Sequence, residues 1–150
     1  MKRFFVFFIV IIAMVCSIPL LDCYSFAEKY KGTYYFYTTQ NYNSAITKTL
    51  QNGNGYVISC DINKSKIVKK LLNSSMLFGE SFCFCGDDKD VIKLLQKLDI
   101  TYKTKNDLDI VAYSPKINYS LTLNNKIYNV QISKNNDIIN VGFPAILGSF

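Results

Sequence analysis

The apolar and polar positions of the chain repeat with different periods, and each change of period predicts a new element. Residues 34–37 are all aromatic and predict a short strand. Residues 45–50 have apolar positions spaced as on a weak helix, which is closed by Gly53 and Gly55. Residues 56–62 alternate between apolar and polar side chains and predict a second strand.

Two amphipathic helices flank a third strand in the middle of the chain. Residues 66–72 place an apolar stripe opposite lysines and predict the first helix. Residues 80–85 lie between two glycines and carry apolar side chains on both faces, which predicts a strand in the interior of the sheet. The strongest helical pattern begins at Asp87 or Asp88 and continues as an apolar stripe up to Leu98.

The C-terminal third is predicted to consist of strands. Residues 108–113, 119–123, 127–132 and 138–143 are separated by turn sequences, and such short connections require antiparallel pairing. We therefore predict one α+β domain over residues 28–150, a mostly antiparallel sheet with two or three helices packed on one face and a C-terminal β-meander. The predicted core consists of Ile58, Ile62, Leu71, Phe82, Phe84, Leu94, Leu95, Leu98, Val130, Ile132 and Val141.

Residues 1–27 have the organisation of an export signal. Two basic residues precede a long apolar stretch, and Ser25 and Ala27 provide the small side chains that precede a signal peptidase site. We predict cleavage after Ala27. The alternative is an uncleaved membrane anchor, because residues 4–21 lack charge over a length close to a bilayer span. Both cases place the body outside the cytoplasmic membrane, either secreted or on its outer face.

The amino-acid composition excludes several kinds of catalysis and of binding partner for the predicted domain over residues 28–150. The chain contains no histidine and no tryptophan, which excludes Ser-His-Asp and Cys-His catalysis and histidine-bound metals. Beyond Ala27 there are 15 lysines and 10 acidic residues, and their dispersion favours solubility, with weak affinity for anionic wall polymers or lipid headgroups as a second interpretation. The body has no arginine, so we exclude nucleic acid as a partner. No cofactor is expected.

Cys60, Cys83 and Cys85 lie beyond the leader, and three interpretations stay open. Cysteine is among the residues most often buried, so core packing comes first. If the strands that carry them are neighbours, Cys60 can form a disulfide with Cys83 or Cys85 and leave one free thiol. A three-thiolate zinc site or a catalytic thiol is a weaker interpretation without histidine.

Acidic residues form no pattern that predicts catalysis or metal binding. Asp87, Asp88 and Asp90 are similar to the start of a calcium loop, but the glycine that should follow is missing, and capping of a helix explains them better. Asp107 and Asp109 share a strand face, yet nothing near them indicates the cleft that hydrolysis by paired carboxylates needs. We assign no catalytic or metal-binding residue.

Aromatic residues are concentrated near the start of the body. Exposed rings of this kind stack on sugars or lie at a membrane interface, whereas a packed edge strand uses the same residue types. Both interpretations stay open at this point. The residues are Tyr30, Tyr34, Tyr35, Phe36, Tyr37 and Tyr42.

Several segments resemble a known family. Residues 55–60 and 79–82 are similar to the opening strands of the YwmB-like family of exported Firmicutes proteins, and residues 90–102 are similar to its following helix and strand. The most specific similarity is in the tail, where residues 129–132 (Asn-Val-Gln-Ile) precede residues 142–146 (Gly-Phe-Pro-Ala-Ile) and a terminal aromatic.

The resemblance implies an α+β fold related to the TATA-box-binding protein, in a family without an established activity. It attaches no catalytic role to any residue of this chain. It singles out Asn129, Gln131, Gly142 and Pro144 as a structural or interaction motif. The simpler interpretation is that the two amides bond to backbone while Gly142 and Pro144 shape the last strand.

Together these patterns predict an exported cell-envelope protein that acts by binding an envelope protein or a wall component, without catalysis. One alternative is a small extracytoplasmic hydrolase or thiol redox enzyme. Another is a membrane-anchored accessory protein that contacts the membrane only through its uncleaved N-terminal segment. Two carboxylates that converge on a cleft, or an accessible Cys83 beside a lysine, would favour the enzyme.

Overall fold

The computed structural model describes residues 26–105 and 109–146. The predicted leader lies almost wholly outside them, and none of the helices within them is long and apolar enough to cross a membrane. The strands are β1 (Gly32–Thr38), β2 (Lys48–Asn52), β3 (Gly55–Asp61), β4 (Leu77–Cys85), β5 (Tyr102–Lys105), β6 (Asp109–Tyr113), β7 (Leu121–Leu123), β8 (Lys126–Tyr128), β9 (Val130–Asn135) and β10 (Ile138–Phe143). The helices are α1 (Ser65–Leu71) and α2 (Asp88–Lys97), and 3₁₀ turns cover Ile62–Lys64 and Ser74–Met76.

Eight strands form one antiparallel sheet in the order β2-β3-β1-β4-β10-β9-β6-β5, and β7 and β8 form a separate hairpin. The predicted α+β class, with a large antiparallel sheet, helices and a C-terminal meander, is confirmed. Strand β4 pairs with β1 on one side and β10 on the other, which confirms its predicted interior position. Strand β1 is also central, between β3 and β4.

One face of the sheet is apolar and covered by the helices. Because side chains alternate along each strand, the cross-strand register aligns Cys60, Tyr34, Phe82, Val141 and Ile132 on this face. Residues from α1, α2 and their C-terminal ends fill the same core: Val68, Leu72, Val91, Leu94 and Leu98.

The opposite face, which we call the open face, is polar. One row of directly paired residues crosses all eight strands on this side. The row consists of Lys48, Ser59, Tyr35, Ser81, Gly142, Gln131, Val111 and Thr104. Polar side chains on one face and apolar side chains on the other are the pattern of an antiparallel sheet whose helices pack on one side.

The weak helix predicted over residues 45–50 is wrong. These residues form a turn followed by β2, an edge strand that pairs with β3. Leu50 is 71% exposed there, so the apolar spacing does not correspond to a buried helical face. Backbone pairing to β3 determines the structure of this segment, which shows how sheet contacts override a weak local preference.

Leu71 is a wrong prediction for the core, because it is 53% exposed. The buried positions of α1 and its C-terminal end are Ser65, Val68 and Leu72, which leaves Leu71 on the solvent side. Leu95 is half-buried and packs against the core from outside, and the other nine predicted core residues are buried.

Two of the C-terminal strands have different bounds from those predicted. The strand predicted from residue 119 begins at Leu121, and the segment 127–132 is divided between β8 and β9 at Asn129. The Asn129 side chain points into the protein and bonds to the backbone of Ser114 and Ile117, which interrupts the strand geometry at this residue.

The described chain begins with two core residues. Phe26 is 5% exposed and Ala27 is fully buried. The Phe26 ring meets the Phe84 ring edge-on, with centroids 6.1 Å apart, and the Tyr30 hydroxyl donates to Asp90 on α2 at 2.6 Å. Cleavage after Ala27 would therefore remove two side chains from the core.

Candidate functional site: a groove on the open face

A groove with a volume of about 460 Å³ opens on the polar side of the sheet, between β1, β2, β3 and the turn that precedes β2. Thr33 and Tyr35 come from β1, and Ser59 and Asp61 come from β3. These four residues share a face because the register pairs Tyr35 with Ser59 and Thr33 with Asp61. The groove has the volume typical of small-ligand sites.

A tight turn forms one wall of the groove. The backbone N–H of Ser44 donates to the Thr47 hydroxyl at 3.0 Å, and the Thr47 N–H donates to the Ser44 carbonyl at 3.2 Å. This turn places Ala45 and Ile46 at the groove, where they add apolar surface. Sugar rings and polymer backbones present the same mixture of polar and apolar surface.

The groove carries a positive balance of charge. Lys48 and Lys64 line it as two cations, whereas Asp61 is the single carboxylate among the described lining residues. In the described part of the chain, none of these three side chains forms an ion pair. Two ammonium groups beside one carboxylate therefore favour an anionic ligand over a cationic one.

Tyr35 brings a hydroxyl group and an aromatic ring to the lining of the groove. Burial raises the pKa of Tyr35 to about 12, and the neighbouring Cys83 thiol adds to the rise. The Tyr35 hydroxyl lies 3.9 Å from the Cys83 sulfur. A hydrogen bond with the Thr33 side chain lowers the pKa of Tyr35 and joins two of the hydroxyl groups that line the groove.

The alternative of a disulfide between Cys60 and Cys83 or Cys85 does not hold, because all three thiols are free. Strand β1 separates the two cysteine-bearing strands, because the register pairs Tyr34 with both Cys60 and Phe82. Cys60 therefore faces the core, whereas Cys83 and Cys85 face the other side. Thiols two strands apart on opposite faces are beyond bonding distance.

The thiols are expected to react at very different rates. Burial raises the pKa of Cys60 to about 12, with a further contribution from Asp61, so its reactive thiolate is almost absent at pH 8 in the folded state. Cys85 is exposed and Cys83 half-buried. Alkylation at pH 8, followed by peptide mass spectrometry, should modify Cys85 first and Cys60 only after unfolding. Equal labelling of Cys60 in native and unfolded protein would contradict this burial.

The two amides of the tail motif bond to backbone at different places. The Asn129 side chain is 1% exposed; it accepts from the Ser114 N–H at 2.8 Å and donates to the carbonyls of Ser114 and Ile117 at 2.7 and 3.0 Å. Gln131 accepts from the Ile146 N–H at 3.0 Å and donates to Asp109 at 3.2 Å. Gln131 thereby holds the C-terminal segment on the open face.

Gly142 and Pro144 lie where the C-terminal segment crosses the open face of the sheet. A side chain at Gly142 would overlap the backbone of Ala145 and Ile146, so the tail lies directly over this glycine. Pro144 follows a cis peptide bond and is buried. Gln131 and Gly142 thus lie under the C-terminal segment, which crosses the middle of the open face, and the groove lies beside it at the β2 end of the sheet.

The acidic residues at the start of α2 form a helix cap. The Asp87 carboxylate accepts from the Asp90 N–H, and the Asp90 carboxylate accepts from the Asp87 N–H, both at 3.1 Å. The capping interpretation is confirmed. Within the described ranges, no group of three or more acidic, cysteine or histidine side chains could hold a metal ion. Asp107 lies outside the described residues, and Asp109 bonds to Gln131.

A buried carboxylate on the apolar face was not singled out by the sequence patterns. Glu80 is 2% exposed and accepts from the hydroxyls of Tyr34 and Tyr119 at 2.8 and 2.7 Å. Lys69 of α1 forms an ion pair with the same carboxylate. Burial, followed by the charge of Glu80 and the bond to it, raises the pKa of Tyr119. The cluster ties helix, sheet and loop together.

The aromatic residues near the start of the body have divided roles. Tyr34, Phe36 and Tyr37 are buried, because β1 is a central strand rather than an edge strand. Tyr37 bonds to the Ser81 hydroxyl at 2.6 Å. Tyr35 alternates with Tyr34 and Phe36 and shares the open face with Tyr37, and it lines the groove. Tyr35 is therefore the tyrosine of β1 that lines the groove, while Tyr34, Phe36 and Tyr37 pack inside the protein.

Comparisons with known proteins add no relative to this picture. No family model matches the chain, and no curated protein and no solved structure matches it. The fold defines an α+β protein with one helix-covered and one open sheet face. The resemblance to the YwmB-like family stays a prediction.

Proposed function

We propose that this protein is an exported cell-envelope module that binds an acidic wall glycan, a hydroxyl-rich polymer bearing phosphate or carboxylate groups. The observation that carries the proposal is the open-face groove, where hydroxyl groups and two lysines surround the exposed side of Tyr35. The export signal predicted over residues 1–27 supports this location, because wall polymers lie outside the cytoplasmic membrane.

The donors and acceptors of the groove suit a sugar polymer. Thr33, Tyr35 and Ser59 offer hydroxyls that both donate and accept, as sugar hydroxyls do. The Tyr35 ring and the Ile46 side chain provide apolar contact for the C–H faces of a sugar. Asp61 can accept two sugar hydroxyls at once.

The lysines make the site selective for acidic polymers. Lys48 and Lys64 lie on the groove as point charges without an ion pair in the described chain, so an anionic group of the ligand can neutralise them. Exposed charges of this kind act mainly on association and are screened by salt. Binding by this site therefore weakens as ionic strength rises.

Binding without catalysis fits the same groove. Cleavage of glycosidic bonds usually requires two carboxyl groups on opposite sides of the bond. Asp61 is the single carboxylate among the described lining residues, and Glu80 is buried on the other face of the sheet. Cys83 reaches the vicinity of Tyr35 but has no histidine to activate it, since the chain contains none.

Sedimentation with purified cell walls tests this function. The double variant Lys48→Gln/Lys64→Gln should lose about tenfold in affinity at low salt, because two charge contacts of about 0.5–1 kcal/mol each are removed. Tyr35→Ala should weaken binding at all salt concentrations. Walls stripped of their phosphodiester-linked polymers should bind less.

The matched control is Lys70→Gln/Lys89→Gln, which removes the same charge from two exposed lysines on the helices. This variant should bind like the unchanged protein. Equal losses for both double variants would show that net charge alone drives binding, and the groove assignment would then be wrong. No sedimentation with any wall preparation would reject the proposed function itself.

A further inference from the structure

The eight-stranded sheet has two edges, β2 at one end and β5 at the other. An edge strand presents backbone N–H and C=O groups on its outer side, and a further strand can pair with them. Among the described residues, no backbone–backbone hydrogen bond joins β2 to a segment other than β3. The outer side of β2 is therefore open to another strand.

The hairpin of β2 and β3 determines which groups of β2 point outward. A two-residue turn joins the strands, and Asn52 pairs with Gly55 on either side of it. Such a turn closes on a pair that exchanges both of its hydrogen bonds, and bonded and non-bonded pairs alternate along an antiparallel ladder. Leu50 is therefore bonded to β3, whereas the backbone N–H and C=O groups of Thr49 and Gln51 point away from the sheet.

The chain that leads into β2 passes on the helix-covered side of the sheet rather than beside its edge. Tyr42 packs against the apolar core, and the Gln40 side chain accepts from the N–H of Asn73, which follows α1. The Thr49 side chain, which alternates onto this side, donates to the Tyr42 carbonyl. None of these contacts uses the outer backbone groups of β2.

We propose that β2 pairs with β2 of a second copy of this chain, antiparallel and centred on Leu50. Antiparallel pairing of two identical strands creates a two-fold axis, and each contact occurs twice. Thr49 then lies opposite Gln51 of the second copy, and the outward groups of these residues form four backbone hydrogen bonds. Lys48 lies opposite Asn52 of the second copy, so all five residues of β2 are paired.

The side chains of β2 are complementary to themselves in this register. Leu50, which is 71% exposed, meets Leu50 of the second copy in a non-hydrogen-bonded pair, where side chains lie closest. The two Lys48 residues are four positions apart along the joined strands, about 14 Å, so salt largely screens their repulsion. The pairing therefore makes an apolar contact at its centre and places no like charges opposite one another.

The other edge of the sheet has the opposite property, because Lys103 and Lys105 occupy two of the four positions of β5. Only alternate residues of an edge strand point their backbone groups outward, so two copies pair only in registers that match odd positions with odd and even with even. Either such register that joins three residues of β5 places Lys103 opposite Lys103 or Lys105 of the second copy. Like charges directly opposite destabilise a strand pair, so lysine protects β5 from self-pairing.

The proposed dimer keeps both grooves accessible. Its two-fold axis stands perpendicular to the joined sheet, so the open faces of both copies point to the same side. A five-residue strand pair is a small interface, which makes the dimer weak and dependent on concentration. The pairing does not rest on the proposed function, but a polymer that occupies both grooves would strengthen the dimer.

Disulfide trapping in the full-length chain, kept in solution by a mild detergent, tests the pairing. Leu50→Cys should give a covalent dimer on mild oxidation, because the two thiols face each other across the axis within bonding distance. Asn52→Cys is the matched control, an exposed position on the same face of β2 whose two copies lie about 14 Å apart. Position 50 should link at least about tenfold faster than position 52. Mass spectrometry of the linked peptides separates these bonds from those of the native cysteines.

Leu50→Cys/Gln51→Pro separates backbone pairing from random collision. Proline at position 51 removes an N–H that points outward, so the β2–β3 hydrogen bonds are kept while each copy loses a bond across the dimer. Linkage at position 50 should then fall about tenfold. Equal rates at positions 50 and 52, no linkage at position 50, or linkage that proline does not reduce would each overturn the proposal. If position 50 links in cells to a different protein and not to a second copy, an extended segment of that protein is the occupant instead.

Discussion

Replacing Glu80 with alanine is expected to lower the free energy of unfolding by about 2–4 kcal/mol, because it leaves the hydroxyls of Tyr34 and Tyr119 without their acceptor inside the protein. Glu80 is 2% exposed and accepts from Tyr34 and Tyr119, and Lys69 pairs with it. A truncated side chain removes the acceptor for all three partners. The loss should be visible as a lower denaturant midpoint in urea or guanidinium titrations.

Glu80→Gln separates charge from hydrogen bonding. Glutamine keeps one acceptor oxygen for the tyrosines but places an amide that cannot pair with Lys69, so an intermediate loss is expected. Glu28→Ala is the control, since Glu28 is exposed and should change stability by less than about 0.5 kcal/mol. If Glu80→Ala lowers the free energy of unfolding no more than Glu28→Ala does, the cluster around Glu80 does not stabilise the fold.

A chain that begins at Glu28 is expected to be less stable by about 3–5 kcal/mol than one that begins at Ser25, the cost of deleting a buried phenylalanine. Phe26 packs against Phe84, and the Lys97 ammonium lies 5.8 Å from the centre of its ring. Phe26→Ala in the full-length chain should reproduce most of the loss. Phe26→Leu should cost much less, because it keeps most of the buried volume.

If the chain is exported as proposed, this N-terminal packing predicts which residues the mature protein keeps. A folded module that keeps its core retains Phe26 and Ala27, so any cleavage is expected upstream of Phe26 rather than after Ala27. Mass spectrometry of protein recovered from the outside of cells measures the mature N-terminus directly. An N-terminus at Glu28, in a product as stable as the longer chain, would contradict the role given to Phe26.

Local patterns were sufficient to predict the elements whose packing is also local. The acids before Val91 predict the start of α2 because a capping box forms within four residues. The apolar residues of segment 80–85 predict a strand in the interior of the sheet, and β4 does lie between β1 and β10, although on its open face Cys83 is half-buried and Cys85 exposed. In contrast, residues 45–50 carry a weak helical spacing, and only their pairing with β3 makes them a strand.

The order of the strands in the sheet depends on pairing between segments that are distant in sequence, so local patterns do not predict it. Because β1 lies between β3 and β4, Cys60 and Cys83 are neither on neighbouring strands nor on one face, and the alternative of a disulfide is excluded for this reason. The same strand order brings together the residues of β1, β2 and β3 that line the groove. Tyr35 was visible as one of several aromatics, but nothing in the sequence placed Lys48 and Lys64 beside it.

The Glu80 cluster was hidden for a related reason. Its partners are Tyr34, Lys69 and Tyr119, which come from a strand, a helix and a loop that are distant in sequence. A glutamate flanked by Gly79 and Ser81 has no periodic signature of burial. Side chains along β4 alternate between the two faces of the sheet, and β4 lies in the interior of the sheet. Only this combination directs the Glu80 side chain into the core.

The most direct test of the binding groove is a nuclear magnetic resonance titration of the labelled protein with a soluble, phosphate-bearing wall glycan. The amide signals of Thr33, Tyr35 and Ser59 should shift together and saturate, while those of Tyr102 and Ile127 stay unchanged. Lys48→Gln/Lys64→Gln should need about tenfold more polymer to give the same shifts at low salt. Shifts confined to the β5 end of the sheet, or none at saturating polymer, would contradict the groove as the binding site.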